Sequence, residues 1–217
     1  MKLKVCGLKF PENIAAVAQL QPDYLGFIFY KKSPRYFKGK IPELSVDIKK
    51  VGVFVYSKLN KILNKALKYN LDAIQLHGEE DAAFCKKLKQ ALQDIRGEER
   101  MQNPVEIIKV FSVGDAFDFS VLEEFEEVCD YFLFDTKGKK KGGNGVAFNW
   151  KLLEKYPSKK PFFLGGGIGL EEMETLRDFL QKDVSKLCYA LDVNSKFEIK
   201  PGWKDVEKLE EFKNNII

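Results

Sequence analysis

Cys6, in Lys4-Val-Cys-Gly7, and Asp135, in Phe134-Asp-Thr136, each close a short apolar run. A thiolate is a general base or nucleophile, and a protonated carboxyl is a general acid. Facing one another across a cavity, the two can move protons in both directions. Each also has a plainer role: a cysteine is often a small buried hydrophobe, and an aspartate often caps a helix. For Cys6 the two readings stand level. For Asp135 the cap is the weaker one, because the chain continues into Thr136-Lys-Gly-Lys-Lys-Lys-Gly-Gly-Asn-Gly145, a loop.

Other residues suit an anion. Gly165-Gly-Gly-Ile-Gly169 lies between an apolar run and a helical stretch, where backbone N–H groups can hold phosphate; glycines also serve tight turns. Asp192-Val-Asn-Ser-Lys196 follows a later apolar run and can complete such a cup. Arg35, in the proline-ordered Ser33-Pro-Arg-Tyr36, offers a bidentate fork to a carboxylate, although most loop arginines are simply solvated. His77 either lines the site or bonds a neighbouring backbone group, and the second role leaves it outside the catalytic set. Lys139-Lys-Lys141 reads as a solvated run. Cys85 and Cys188 read as core residues, and Cys129 has no evident role.

These residues need a frame. Eight short β-rich runs recur: Leu3–Cys6, Tyr24–Phe29, Lys50–Val55, Asp72–Leu76, Glu106–Phe111, Tyr131–Phe134, Pro161–Leu164 and Lys186–Ala190. Between them, Glu12–Leu20, Lys58–Tyr69, Glu80–Leu92, Leu170–Leu180 and Asp205–Phe212 carry apolar residues at helical spacing. Eight such units in 217 residues predict an α/β protein, a single (β/α)8 TIM barrel with a parallel eight-stranded core spanning 1–217 as one catalytic domain. A doubly wound sheet is disfavoured, since Cys6-Gly-Leu-Lys9 is no dinucleotide fingerprint. Residues 31–47 read as a long loop with at most a short helix, and 97–104 as a polar surface excursion. Barrel chemistry sits where strands end, which is where Cys6, Arg35, His77, Asp135, Gly165–Gly169 and Asp192–Lys196 fall.

Composition narrows the classes. Hydrophobic residues make up 45% and charged residues 31%, with 18 Phe, 8 Tyr and 2 Trp as core material, so global disorder is excluded. The net charge of +4 falls short of a nucleic-acid interface and suits a small anionic ligand. Four scattered cysteines without a CxxC pair, no apolar leader and no long apolar run predict a cytoplasmic protein with free thiols and no membrane span. One histidine argues against metal sites built from several histidines. Well-charged helix faces make a monomer the default, with a dimer as the alternative.

In register, the motifs resemble phosphoribosylanthranilate isomerases of tryptophan biosynthesis. They are Lys4-Val-Cys-Gly-Leu8, Gly26-Phe-Ile-Phe29 with Ser33-Pro-Arg35, Gln75-Leu-His-Gly78, Phe134-Asp-Thr136, Gly142-Gly-Asn-Gly145 with Phe148-Asn-Trp150, Gly165-Gly-Gly-Ile168, Asp192-Val-Asn-Ser195 and Pro201-Gly-Trp-Lys-Asp205. The resemblance implies a barrel without a cofactor that converts N-(5-phosphoribosyl)anthranilate to 1-(2-carboxyphenylamino)-1-deoxyribulose 5-phosphate. It implies Cys6 as general base, Asp135 as general acid, Arg35 on the anthranilate carboxylate and Asp192 near the sugar hydroxyls. It also implies phosphate binding at Gly166 and Gly167 and at Asn194 and Ser195. The chemistry asks for an acid with a raised pKa and a thiol with a lowered one.

The sequence departs from the family pattern where Asn194-Ser-Lys196 replaces Ser-Ser-Gly, where Gly142-Gly-Asn-Gly145 replaces Gly-Gly-Thr-Gly, and where Phe148-Asn-Trp150 replaces Phe-Asp-Trp. Lys196 is then either strained in a turn requiring positive φ or available to bind phosphate directly. A pentose-phosphate epimerase would need several histidines, and a histidine-pathway isomerase an aspartate at position 6. A non-catalytic phosphosugar-binding barrel is the alternative from another class; it predicts decay of the acid/base pair before the phosphate cup, the reverse of what these residues show.

Overall fold

A computed structural model describes residues 1–97, 104–136 and 149–216. Eight parallel strands close into a barrel in chain order. They are β1 (Lys2–Cys6), β2 (Tyr24–Ile28), β3 (Lys49–Phe54), β4 (Ala73–Leu76), β5 (Glu106–Val113), β6 (Tyr131–Thr136), β7 (Phe162–Leu164) and β8 (Cys188–Val193). The seam pairs β1 with β8, Lys2 opposite Ala190 and Lys4 opposite Asp192. All eight expected runs are strands.

Side chains alternate across each strand, and this sorts the sequence into two cores. Leu3 and Val5 on β1 join the large cluster between barrel and helices. Tyr24, Val51, Ala73, Ile108, Val110, Leu133, Phe163 and Ala190 form a separate cluster that fills the barrel. Lys4 and Cys6 are out of phase with Leu3 and Val5, so they share the interior face.

The outer layer is less regular than eight repeats of one unit. Among the described residues the α-helices are α1 (Pro11–Gln19), α2 (Leu59–Tyr69), α3 (Ala82–Gly97), α4 (Met173–Leu180) and α5 (Val206–Ile216). All five match expected helices. Pro11 starts α1, where its missing N–H costs nothing. After β5 there is instead a short 3-10 segment, Phe119–Phe125, capped by the Asp118 carboxylate accepting from the Ser120 N–H. Another such segment, Trp150–Lys155, precedes β7. Between β2 and β3 there is no helix. Phe37 covers the outer face of the barrel there, fully buried, with its ring 4.9 Å from Phe27 and 5.6 Å from Tyr69. After β8 the chain forms a hairpin, β9 (Glu198–Lys200) and β10 (Trp203–Lys204), that sequence periodicity missed. Among the described residues no helix is long and apolar enough to cross a membrane.

Gly142–Gly145, Lys139–Lys141, Phe148 and most of the 97–104 excursion lie outside the described residues.

Candidate active site

Cys6 closes β1 and is buried, 4% exposed. Two residues back on the same face, the fully buried Lys4 donates to Asp192 on β8, Nζ to Oδ1 2.7 Å. Burial pushes the Cys6 thiol up from its ordinary pKa, and the Lys4 and Lys204 ammonium groups pull against that without cancelling it. The lowered thiol pKa expected from the chemistry is therefore not found: taking a thiolate out of water costs more than two nearby cations return. Burial also raises the Asp192 carboxyl, opposed by Lys4. The Lys4 ammonium loses to burial but gains more from Asp192 and Cys6, so its pKa rises.

Asp135 sits near the end of β6 on the same face as Leu133, directed into the barrel mouth. Its Oδ1 accepts from the N–H of Thr136 at 2.8 Å. Its Oδ2 lies 3.2 Å from His77 Nε2, and His77 Nδ1 lies 3.4 Å from Gln75 Nε2. His77, set aside on sequence grounds, thus touches the acid. Its place was legible: Gln75 and His77 stand two residues apart and share a strand face.

Arg35, on the loop after β2, is 8% exposed. Its Nε lies 2.9 and 3.0 Å from the two carboxylate oxygens of Glu198, and its Nη2 2.6 Å from Oε2. The fully buried Lys204 donates to Glu198 Oε1 at 2.9 Å, to Asn194 Oδ1 at 2.8 Å and to the Asn194 carbonyl at 3.0 Å. Burial drives the Lys204 pKa down to about 8, and Glu198 resists. The Glu198 carboxyl is raised by burial but lowered more by Arg35 and Lys204, leaving it below its ordinary value. Glu198 and Lys204 were not foreseen. The Pro201-Gly202 step between β-like flanks was the available signal for the hairpin that carries them.

Gly166 and Gly167 follow β7 with φ of +79° and +77°. A side chain at Gly166 would meet Thr136 Oγ1 at 2.4 Å and Asp135 Oδ1 at 2.9 Å, so only glycine brings this backbone so close to the acid. No described backbone acceptor takes the N–H of either glycine. Across from them, Asn194 and Ser195 follow β8. The Asn194 side-chain oxygen is held by Lys204, so its N–H groups are what it can offer an anion. Lys196 is not strained as the turn expectation required. It is not among the positive-φ residues, and its ammonium lies 3.4 Å from Glu171 and 3.3 Å from Glu172. The 3-10 turn Ser195–Phe197 accommodates any residue, and two carboxylates already engage the charge.

The strand ends thus bring together a thiol, an acid, an arginine and two glycine N–H groups at one end of a parallel barrel, the arrangement of a (β/α)8 barrel enzyme. The family model for N-(5'-phosphoribosyl)anthranilate (PRA) isomerase matches residues 3–215. An N-(5'-phosphoribosyl)anthranilate isomerase of Parabacteroides distasonis is 38% identical, covering 100% of this chain and 94% of the relative. The solved structure of phosphoribosyl anthranilate isomerase from Thermotoga maritima has a TM-score of 0.76 at 32% identity, covering 100% of this chain and 98% of the other. A phosphoribosyl anthranilate isomerase in complex with reduced 1-(o-carboxyphenylamino)-1-deoxyribulose 5-phosphate has a TM-score of 0.72 at 30% identity, with coverage of 100% and 98%. The chain belongs to the phosphoribosylanthranilate isomerase family, and it is an enzyme.

Proposed function

We propose that the chain performs the Amadori rearrangement of N-(5-phosphoribosyl)anthranilate in tryptophan biosynthesis, with Cys6 as general base and Asp135 as general acid. The observation that carries this reading is the shared barrel mouth of Cys6 and Asp135, with Arg35 on one side and Gly166–Gly167 on the other. The relative whose structure holds the reduced product-like ligand supports the substrate class.

Asp135, protonated, donates to the furanose ring oxygen as the bond from C1′ to that oxygen breaks, and an iminium forms. Cys6 as thiolate then takes the C2′ proton, whose acidity the iminium raises. The resulting enolamine gains a proton at C1′ and gives up the 2′-hydroxyl proton, leaving the ketone with no net proton change. The raised Cys6 pKa fits this order of events. Burial favours the neutral thiol, and the iminium is a new cation in the same pocket that favours the thiolate when it is needed. Arg35 holds the anthranilate carboxylate, Asp192 approaches the sugar hydroxyls, and the N–H groups of Gly166, Gly167, Asn194 and Ser195 hold the phosphate.

The test is turnover of phosphoribosylanthranilate generated in situ, followed by loss of anthranilate-type fluorescence, for wild type, Cys6→Ser and Asp135→Asn without added metal. Turnover that collapses in both variants supports the assignment. Activity surviving Cys6→Ser overturns the base and leaves the isomerase standing, and a folded but inert wild type overturns the activity.

A further inference from the structure

Arg35 does not wait for its ligand as a free cation. Glu198 takes its Nε and one hydrogen of Nη2, which fixes the plane of the guanidinium and occupies one of its two bidentate edges. The remaining edge is Nη1 with the second Nη2 hydrogen, and Nη1 has no hydrogen-bond partner among the described residues. Glu198 is held in turn. Its Oε1 accepts from Lys204 Nζ at 2.9 Å and from the Gly202 N–H at 3.0 Å. The Lys204 backbone is pinned to the Asn13 side chain by two bonds, 2.9 and 2.7 Å. Gly7, at φ +82°, abuts both arms of this network: a side chain there would meet Arg35 Cδ at 2.8 Å and Asn194 Oδ1 at 2.5 Å. The residue after the thiol, the arginine and the phosphate-side asparagine are thus packed against one another and tied to one buried ammonium.

We propose that Glu198, locked by Lys204, is the positioning residue that directs the Nη1/Nη2 edge of Arg35 at the substrate's aromatic carboxylate, and that it thereby sets the preference for a carboxylated substrate. A bidentate fork discriminates only if its plane is fixed before the ligand arrives. The Glu198 charge also offsets that of Arg35, so an incoming anion meets an oriented edge rather than a diffuse positive field. Lys204 supplies the counter-charge that keeps Glu198 ionised inside the protein, and through Asn194 it joins the carboxylate end of the site to the phosphate end.

The proposal rests on Arg35 as the carboxylate site, and the experiment separates the two. Binding is measured for reduced 1-(o-carboxyphenylamino)-1-deoxyribulose 5-phosphate and for its phenylamino counterpart lacking the carboxylate. The proteins are wild type, Glu198→Gln and Arg35→Met, each checked by circular dichroism, with KM and kcat measured alongside. Glu198→Gln is expected to weaken the carboxylated ligand about tenfold or more, to leave its counterpart within about twofold, and to raise KM far more than it lowers kcat. Equal weakening of both ligands, or no change in either, overturns the positioning role. If Arg35→Met leaves the preference between the ligands intact, the carboxylate reading of Arg35 falls. If Arg35→Met abolishes the preference and Glu198→Gln does not, only the Glu198 proposal falls. If Glu198→Gln does not fold, Glu198→Asp carries the same comparison: the charge stays, the shorter side chain cannot span both donors, and an undiminished preference overturns the proposal.

Discussion

The two ends of the barrel both bury ionisable groups, and they use them in opposite ways. At the end where the strands begin, Tyr24, Tyr131 and Tyr189 surround Phe163, with ring centroids 5.4, 5.4 and 5.6 Å from it. The Tyr24 hydroxyl reaches Glu106 at 3.2 Å and Tyr189 at 3.3 Å, and Lys49 also bonds Glu106. Burial raises the Tyr24 and Tyr131 phenols, so both stay neutral at any working pH. That end is a plug with satisfied polar tips. At the other end Lys4, Asp192, Lys204, Glu198 and Arg35 are held as charges around Cys6. The same loss of solvent that makes a tyrosine inert makes a thiol, a carboxyl and an ammonium responsive to each new charge.

This contrast predicts separable effects. The largest is on rate: Cys6→Ser and Asp135→Asn should each lower kcat/KM by roughly 10²–10⁴-fold without lowering the melting temperature. A large drop in melting temperature would mean that this end also carries the fold. Phe163→Ala should show the reverse, losing about 3–5 kcal/mol of stability in denaturant titration while kcat and KM of the folded protein stay unchanged. Next comes the acid limb of stability. The folded Glu198 carboxyl lies below its ordinary value, so it stabilises the protein above the unfolded carboxyl pKa of about 4.3, and that stabilisation is lost as pH falls through the folded value. Denaturant midpoints measured from pH 6 to pH 3 should therefore fall more steeply in wild type than in Glu198→Gln; parallel curves would contradict the pairing. Lys4→Met should move iodoacetamide alkylation of Cys6 to higher pH, because the cation that most favours the thiolate is gone and Asp192 is left uncompensated. An unmoved or lowered profile would remove Lys4 from control of the thiol. Smallest of all, Lys196→Ala should change KM by less than about threefold, since its ammonium is engaged by Glu171 and Glu172.

Much of the candidate site is legible in the chain. Cys6 and Asp135 stand out because each ends an apolar strand, and in a parallel barrel strand ends are where side chains meet a ligand. The glycines at 166 and 167 announce a backbone that approaches something closely. For His77 nothing local says what it touches: its neighbour Asp135 lies on another strand, and only barrel closure brings the two to 3.2 Å. The thiol's raised pKa was missed for a similar reason, since burial depends on what the other strands place around it. The 3-10 segments and the packing of Phe37 are not legible in the chain, because periodicity marks helices, whereas a loop that packs aromatic rings leaves no periodic trace.

Local rules are strong where the physics is local. Alternation along a strand requires that Lys4 share a face with Cys6, and helical spacing fixes which side of α2 meets the barrel, because both follow from backbone geometry within a few residues. Ion pairing obeys no such rule. Arg35 and Glu198 are 163 positions apart, and Lys4 and Asp192 188. Many carboxylates in this chain could have answered either cation. Which one does is decided when β1 pairs with β8 and the hairpin after β8 folds back beneath the arginine, since a buried charge is tolerated only beside a partner that closure has carried there.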